Sequence, residues 1–140
     1  MKKQLLLLVT ALFVLSSFFC SCTNNKSKQK AINTNNEAQI TFTDTVHNFG
    51  TFSTKFPIQK FTFHFKNLGT TPIAILDADP SCRCITVDYT KELVRSNQSG
   101  IVEITFDGRE ASPGYFNKSV RIRINSFRIY TLNVSGIMKE

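Results

Sequence analysis

Cys82-Arg83-Cys84 is the densest concentration of reactive atoms in the sequence. Two thiols separated by one residue have three chemical outcomes. They can close on each other as a disulfide. They can hold a soft metal such as Cu(I) or zinc as a pair of thiolates. Or one can be buried as a small apolar side chain while the other stays idle. In an extended strand, residues i and i+2 lie about 6.6–6.8 Å apart at Cα, the upper limit for a bridge. A disulfide therefore needs a bent backbone, which Pro80-Ser81 can help supply. Zinc would want four ligands, and only His47 and His64 can add imidazole. His64 alternates with Phe63 and Phe65, so it is expected to point to solvent. Arg83 places a positive charge beside both sulfurs and favours a thiolate, which keeps redox work open.

The remaining polar clusters are weaker. Asp77 and Asp79 form a close carboxylate pair that could serve as acid and base or bind Ca²⁺ with further oxygens. A polar turn at a strand end is the favoured reading. Arg121, Arg123 and Arg128 make a candidate basic surface patch for anionic lipid, polysaccharide or an acidic partner. The alternative is a charged strand face that blocks edge-to-edge pairing. No aromatic stacking platform accompanies them, so nucleic acid is not expected as a partner. The sequence contains no Gly-x-Ser-x-Gly, no His-Glu-x-x-His and no phosphate-cradling glycine loop. Asp44-Thr45-Val46 resembles one bacterial O-glycosylation pattern, but three residues match by chance often.

What positions these residues begins with the compartment. Lys2 and Lys3 lead into an apolar run, Leu5 to Phe19, and then Ser21-Cys22. That order is an export signal, and the run is shorter than the roughly 20 apolar residues of a membrane span. A cysteine at the cut resembles a lipobox. Cys22 follows the small Ser21, whereas Cys20 follows Phe19, so lipidation is assigned to Cys22. Each buried CH₂ contributes about 0.8 kcal/mol, and several acyl chains together make anchoring effectively permanent. The signal peptide then spans 1–21. Losing Lys2 and Lys3 lowers the formal charge from +7 to +5. Residues 22–38 are rich in Asn, Lys, Ser and Gln and are read as a flexible tether. Its reach is on the order of 20 Å. Cys82 and Cys84 are then the only thiols of the folded part, in an oxidising compartment.

Residues 39–140 suffice for one domain with one core. Apolar and polar residues alternate almost throughout, and no stretch holds a helical period for three turns. Ile40 and Phe42 open a first strand. Phe61, Phe63 and Phe65 face one way. Pro72 to Leu76 reads as a strand entered through a proline. Ile85–Val87, Val102–Phe106, Phe116–Ile124 and Phe127–Val134 follow. About seven short strands with regular turn signals predict an all-β, immunoglobulin-like antiparallel β-sandwich. One phase conflict stands out. A two-residue turn at Asn125-Ser126 would point Leu132 and Val134 outward, so either the loop is longer or a bulge near Ile129 and Tyr130 resets the phase.

The ordered set Phe49-Gly50, Phe61/Phe63/Phe65, Asn67-Leu68-Gly69, Pro72, Ser81-Cys82-Arg83-Cys84, Ser99-Gly100, Val102 to Asp107, Pro113-Gly114, Phe116-Asn117-Lys118 and Leu132 to Gly136 resembles the family catalogued as domain of unknown function 1573. The resemblance covers about residues 42 to 138. It implies an exported bacterial protein, often a lipoprotein, with an immunoglobulin-like sandwich related to the major sperm protein and PapD-type modules. It implies no established activity. Two positions depart from the family pattern: its usual Cys-Gly-Cys-Thr is Cys82-Arg83-Cys84-Ile85 here, and its Pro-Gly turn is Ser96-Asn97. A positive φ at Arg83 would carry a steric cost that glycine avoids.

These readings converge on a membrane-anchored cell-envelope lipoprotein with a non-enzymatic binding or scaffolding domain and no cofactor. The expected location is the outer membrane, facing the periplasm. Its partners would be the membrane, through the lipid, and an envelope protein or polysaccharide. The alternative is thiol-redox or soft-metal handling through Cys82 and Cys84.

Overall fold

The computed structural model describes residues 38–140. The signal peptide, Cys20, the lipidation candidate Cys22 and all of the tether except Ala38 lie outside the described residues. Eight strands run in chain order: β1 Ile40–Phe42, β2 Val46–Ser53, β3 Ile58–Asn67, β4 Ile75–Pro80, β5 Ile85–Tyr89, β6 Ser99–Asp107, β7 Gly114–Ile124 and β8 Ile129–Lys139. They form two four-stranded sheets. The first has the order β1-β3-β6-β5 and the second β2-β8-β7-β4. Every ladder is antiparallel except β2 with β8, which is parallel. The expected all-β sandwich is therefore present, with one strand more than the alternation suggested.

Period two explains the long strands. On β3, Phe63 and Phe65 are buried while His64 is exposed. On β7, Val120, Ile122 and Ile124 are buried, and on β8 Leu132 and Val134 are. The inner faces meet in a phenylalanine-rich core. Phe106 of the first sheet stacks on Phe116 of the second, with ring centroids 4.0 Å apart and planes 3° from parallel. Toward the opposite end Phe42 packs against Phe65 and Tyr130. Gly100 sits opposite Phe65 in the β3–β6 ladder. A Cβ there would lie 2.4 Å from the Phe65 ring, so the ring occupies the space that glycine leaves.

β2 escaped the sequence reading for a local reason. Four residues, Asn48 to Thr51, span what three residues, Ser135 to Ile137, span on β8. This bulge reverses the side-chain alternation, so Phe49 and Phe52 both pack on the core despite their odd spacing. Gly50 supplies the positive φ of 70° that the bulge uses, and its N–H donates to Asn48 Oδ1 at 2.8 Å.

The phase conflict at Asn125 resolves through the longer loop. Arg123 pairs with Ile129, which leaves five residues outside the ladder and sends Leu132 and Val134 inward. Asn125 holds that loop: its side chain accepts from Ala74 N–H at 3.1 Å and donates to Pro72 O at 3.0 Å. The strand expected at Pro72–Leu76 begins later, at Ile75, and runs to Pro80. Pro80 lies at the end of an edge strand, where a missing N–H breaks no central ladder.

Candidate functional site

β4 is an edge strand of the second sheet and β5 an edge strand of the first. The chain must cross between the sheets in the few residues that separate them, and Ser81-Cys82-Arg83-Cys84 make that crossing. Ile85 N–H donates to Cys82 O at 3.3 Å, closing a tight turn. The turn brings the Cα atoms of Cys82 and Cys84 to 5.3 Å, and their sulfurs are bonded as a disulfide. The bend anticipated from the strand spacing is thus made by a turn. Arg83 does not have a positive φ, so replacing glycine there carries no backbone penalty. The left-handed conformation is found instead at Asn97, φ 63°, and asparagine tolerates it better than most residues.

The crossing is tied to both sheets. Ser81 N–H donates to Ser119 O at 2.9 Å, and Ser119 N–H donates to Ser81 Oγ at 3.0 Å. On the other side Asp107 N–H donates to Cys84 O at 2.8 Å. Both cysteines are half-buried against the core. A bridge that closes only three residues removes little chain entropy, about 1.6 kcal/mol at 25 °C by the loop-closure relation. That is roughly half of what a 15-residue loop gives, so the bridge is a minor contributor to global stability.

Cys84 and Arg83 line one wall of an open cleft of about 600 Å³. The other wall is Asp107, Arg109, Glu110 and Ala111. The sequence reading passed over this second wall. Its signal was Asp107-Gly108-Arg109, an acid and a base flanking a glycine at a strand end. Arg109 Nε donates to both oxygens of Asp107, at 2.9 and 3.0 Å, its terminal nitrogen adds a further short contact, and Asp107 Oδ1 also accepts from the Arg109 N–H at 3.1 Å. These hydrogen bonds lower the Asp107 pKa to about 2. Asp107 is consequently an anion already committed to its neighbour, and a poor general base.

Asp77 and Asp79 do not form a turn. They lie within β4, directly across from Arg123 and Arg121 of β7. Asp79 pairs with Arg121, and Asp77 with Arg123 at 3.7 Å. Two of the three cations in the expected basic patch, Arg121 and Arg123, are therefore neutralised in place on a cross-strand ladder. Arg128 is set apart from them in the β7–β8 loop. Alternation predicted that Arg121 and Arg123 face outward, but it could not name the strand beside them.

His64 is exposed on the outer face of the first sheet. His47 stacks on Phe61, centroids 3.6 Å apart, and meets Phe49 edge-on. Burial against these rings lowers the His47 pKa, opposed by the nearby Asp44 charge. Among the described residues no three His, Cys, Asp or Glu side chains come together as a metal site.

The solved structures similar to this chain share its fold. A protein of unknown function from Porphyromonas gingivalis W83 superposes with a TM-score of 0.64 at 12% identity, over 79% of this chain and 51% of that one. The VesB protease of Vibrio cholerae gives 0.59 at 16% identity, over 71% of this chain and 32% of the protease. A PapD-like domain of human CEP192 gives 0.56 at 16% identity, over 74% and 87%. This chain spans about half of the first and a third of the second. No curated protein matches the sequence. Residues 40–138 match the family model described as "Protein of unknown function (DUF1573)", and the chain belongs to that family.

Proposed function

We propose that the protein is a non-enzymatic binding or scaffolding module of the bacterial cell envelope, held at the periplasmic face of the outer membrane by lipid on Cys22. The observation that carries the binding role is the PapD-like sandwich with β2 as the edge strand of its second sheet. An edge strand presents backbone donors and acceptors to an added strand, and alternate side chains then give specificity. Val46, at the start of β2, is 62% exposed. The partner would be an envelope protein segment or polysaccharide, with no role for nucleic acid. Crosslinking in intact envelopes followed by affinity recovery is expected to capture a partner above background. Val46→Lys, which charges the exposed flank of β2, is expected to reduce that capture. Recovery of no partner would sink the proposal. Intact mass spectrometry of native protein tests the anchor separately, through the acyl mass on Cys22.

A second reading is favoured by the position of the disulfide: an exposed crossing beside an open cleft, with Cys84 in its wall. There the bridge would accept two electrons from a thiol donor, giving two thiols on the protein and a disulfide on the donor. The reduced pair could then hold a soft metal. A reduction potential well above the roughly −300 mV of structural bridges supports that reading, and a lower one removes it.

A further inference from the structure

The chain enters the sandwich at one particular end. Ile40 N–H donates to the Tyr130 hydroxyl at 3.3 Å, and Leu68 N–H donates to Gln39 O at 2.9 Å. Residues 38–40 are therefore seated between the β3–β4 loop and the beginning of β8. Three loops meet at that end: β3–β4, β5–β6 and β7–β8. They are fastened together into one surface. The buried Asn67 side chain donates to Thr71 O and Val94 O, both at 2.9 Å, and accepts from Gly69 N–H at 2.9 Å. Ile73 and Val94 pair as an isolated bridge, and Asn125 clamps β7–β8 onto Pro72 and Ala74.

Each of the three loops presents one large apolar side chain to solvent. Leu68 is 54% exposed, Leu93 61%, and Phe127 fully. The Arg95 and Arg128 side chains are exposed on two of the same loops. Lys91 of the β5–β6 loop pairs with Asp88 at 3.5 Å, and Glu92 is the one carboxylate on these three loops, so Arg95 and Arg128 leave them with an excess of one positive charge. Apolar tips rimmed by cations match a bilayer interface, where rings and aliphatic chains enter the acyl boundary and arginines meet anionic headgroups.

We propose that this end docks on an anionic lipid surface, with Phe127, Leu68 and Leu93 as the inserted tips and Arg95 and Arg128 as headgroup contacts. The inference rests on the anchored reading above. Cys22 stands 16 positions before Ala38, a length of chain that can span at most about 58 Å. Lipid on Cys22 would therefore hold the end where the chain enters within that distance of the membrane. Docking would orient the sandwich, with the Cys82–Cys84 crossing and the β2–β3 loop pointing away from the bilayer.

The sequence contains no tryptophan, so a single introduced one reports alone. Phe127→Trp and, at the far end, Phe56→Trp are placed in the mature chain, once acylated and once with Cys22→Ser. Vesicles contain phosphatidylethanolamine and phosphatidylglycerol with brominated acyl chains. On them, the Phe127→Trp chain is expected to shift to the blue and to be quenched at least threefold more than the Phe56→Trp chain, acylated or not. Combined Leu68→Ser, Leu93→Ser and Phe127→Ser should weaken vesicle binding of the unacylated chain at least tenfold. Arg95→Gln should weaken it about fivefold, and raised salt should do the same.

If the acylated chain floats with vesicles but the Phe127→Trp emission stays that of a solvent-exposed indole, docking is overturned while the anchor stands. If native protein carries no acyl group, the anchor reading fails, and the unacylated measurements decide docking alone. Quenching that requires an added envelope protein overturns the lipid surface in favour of a protein partner.

Discussion

Asn67 and Cys84 each fasten loops to the same core, at opposite ends of the sandwich, by different physics. At the end where the chain enters, uncharged side-chain amides do the fastening. Asn67 is wholly buried, and its side chain gathers backbone groups of the β3–β4 and β5–β6 loops in three hydrogen bonds. At the other end the fastenings are a three-residue disulfide and an Asp107–Arg109 pair open to solvent. The difference lies in what removal leaves behind. Deleting the buried amide removes three hydrogen bonds at once from a site closed to solvent, even though Val94 O keeps the Ile73 N–H and Gly69 N–H keeps Gln39 O, whereas a deleted surface pair is replaced by water. The covalent and charged end should be the cheaper one to dismantle.

The contrast breaks most directly at Asn67. Asn67→Ala is expected to destabilise the fold by about 3 kcal/mol, read as a drop in the urea midpoint at unchanged slope. A loss below about 1 kcal/mol would remove the distinction between the ends. Replacing Cys82 and Cys84 together by serine should cost about 1.6 kcal/mol in the same measurement. A cost as large as that of Asn67→Ala would show that the crossing holds the sheets together.

Arg109→Ala sharpens the comparison through pH. In the fold the Asp107 pKa is about 2, against 3.8 unperturbed. Its contribution is therefore complete above pH 4 and lost as pH falls toward 2. The variant should lose that part of the acid dependence, seen as a flatter stability curve between pH 4 and 2, with an Asp107 titration that moves up by NMR. Arg121→Ala, at an exposed pair with Asp79, should change stability by less than about 1 kcal/mol. Thermal unfolding in low and high salt checks it, and the small effect should shrink further in salt.

Much of this architecture was legible because burial imposes period two. The Phe63/Phe65, Val120/Ile122/Ile124 and Leu132/Val134 sets fall on the core side as alternation requires. That a Cys82–Cys84 bridge, one of three outcomes left open, would need a bend followed from the length of an extended tripeptide. The misses share a cause: information about which strand lies alongside is absent from a local pattern. Asp77 and Asp79 looked like a turn because their partners, Arg123 and Arg121, are more than forty residues away along the chain. Arg121 and Arg123 looked like a cationic patch for the same reason. β2 was hidden by its Gly50 bulge, which shifts the apolar side chains out of phase. Asn67 stood out as part of the ordered Asn67-Leu68-Gly69 of the family resemblance, and its role as a hub came from loops that only the fold assembles.

The parallel pairing of β2 with β8 bears on how the chain folds. Within the first sheet, every ladder can form once residue 107 has emerged. β2 must wait: Val46 finds its partner at Asn133 and Ser53 at Lys139. Contacts this distant along the chain are slow to close. A polypeptide emerging N-terminus first would therefore carry β2 unzipped until β8 has followed it. β8, the last strand of the second sheet in chain order, would complete it, so a chain lacking β8 would leave β2 permanently without its ladder.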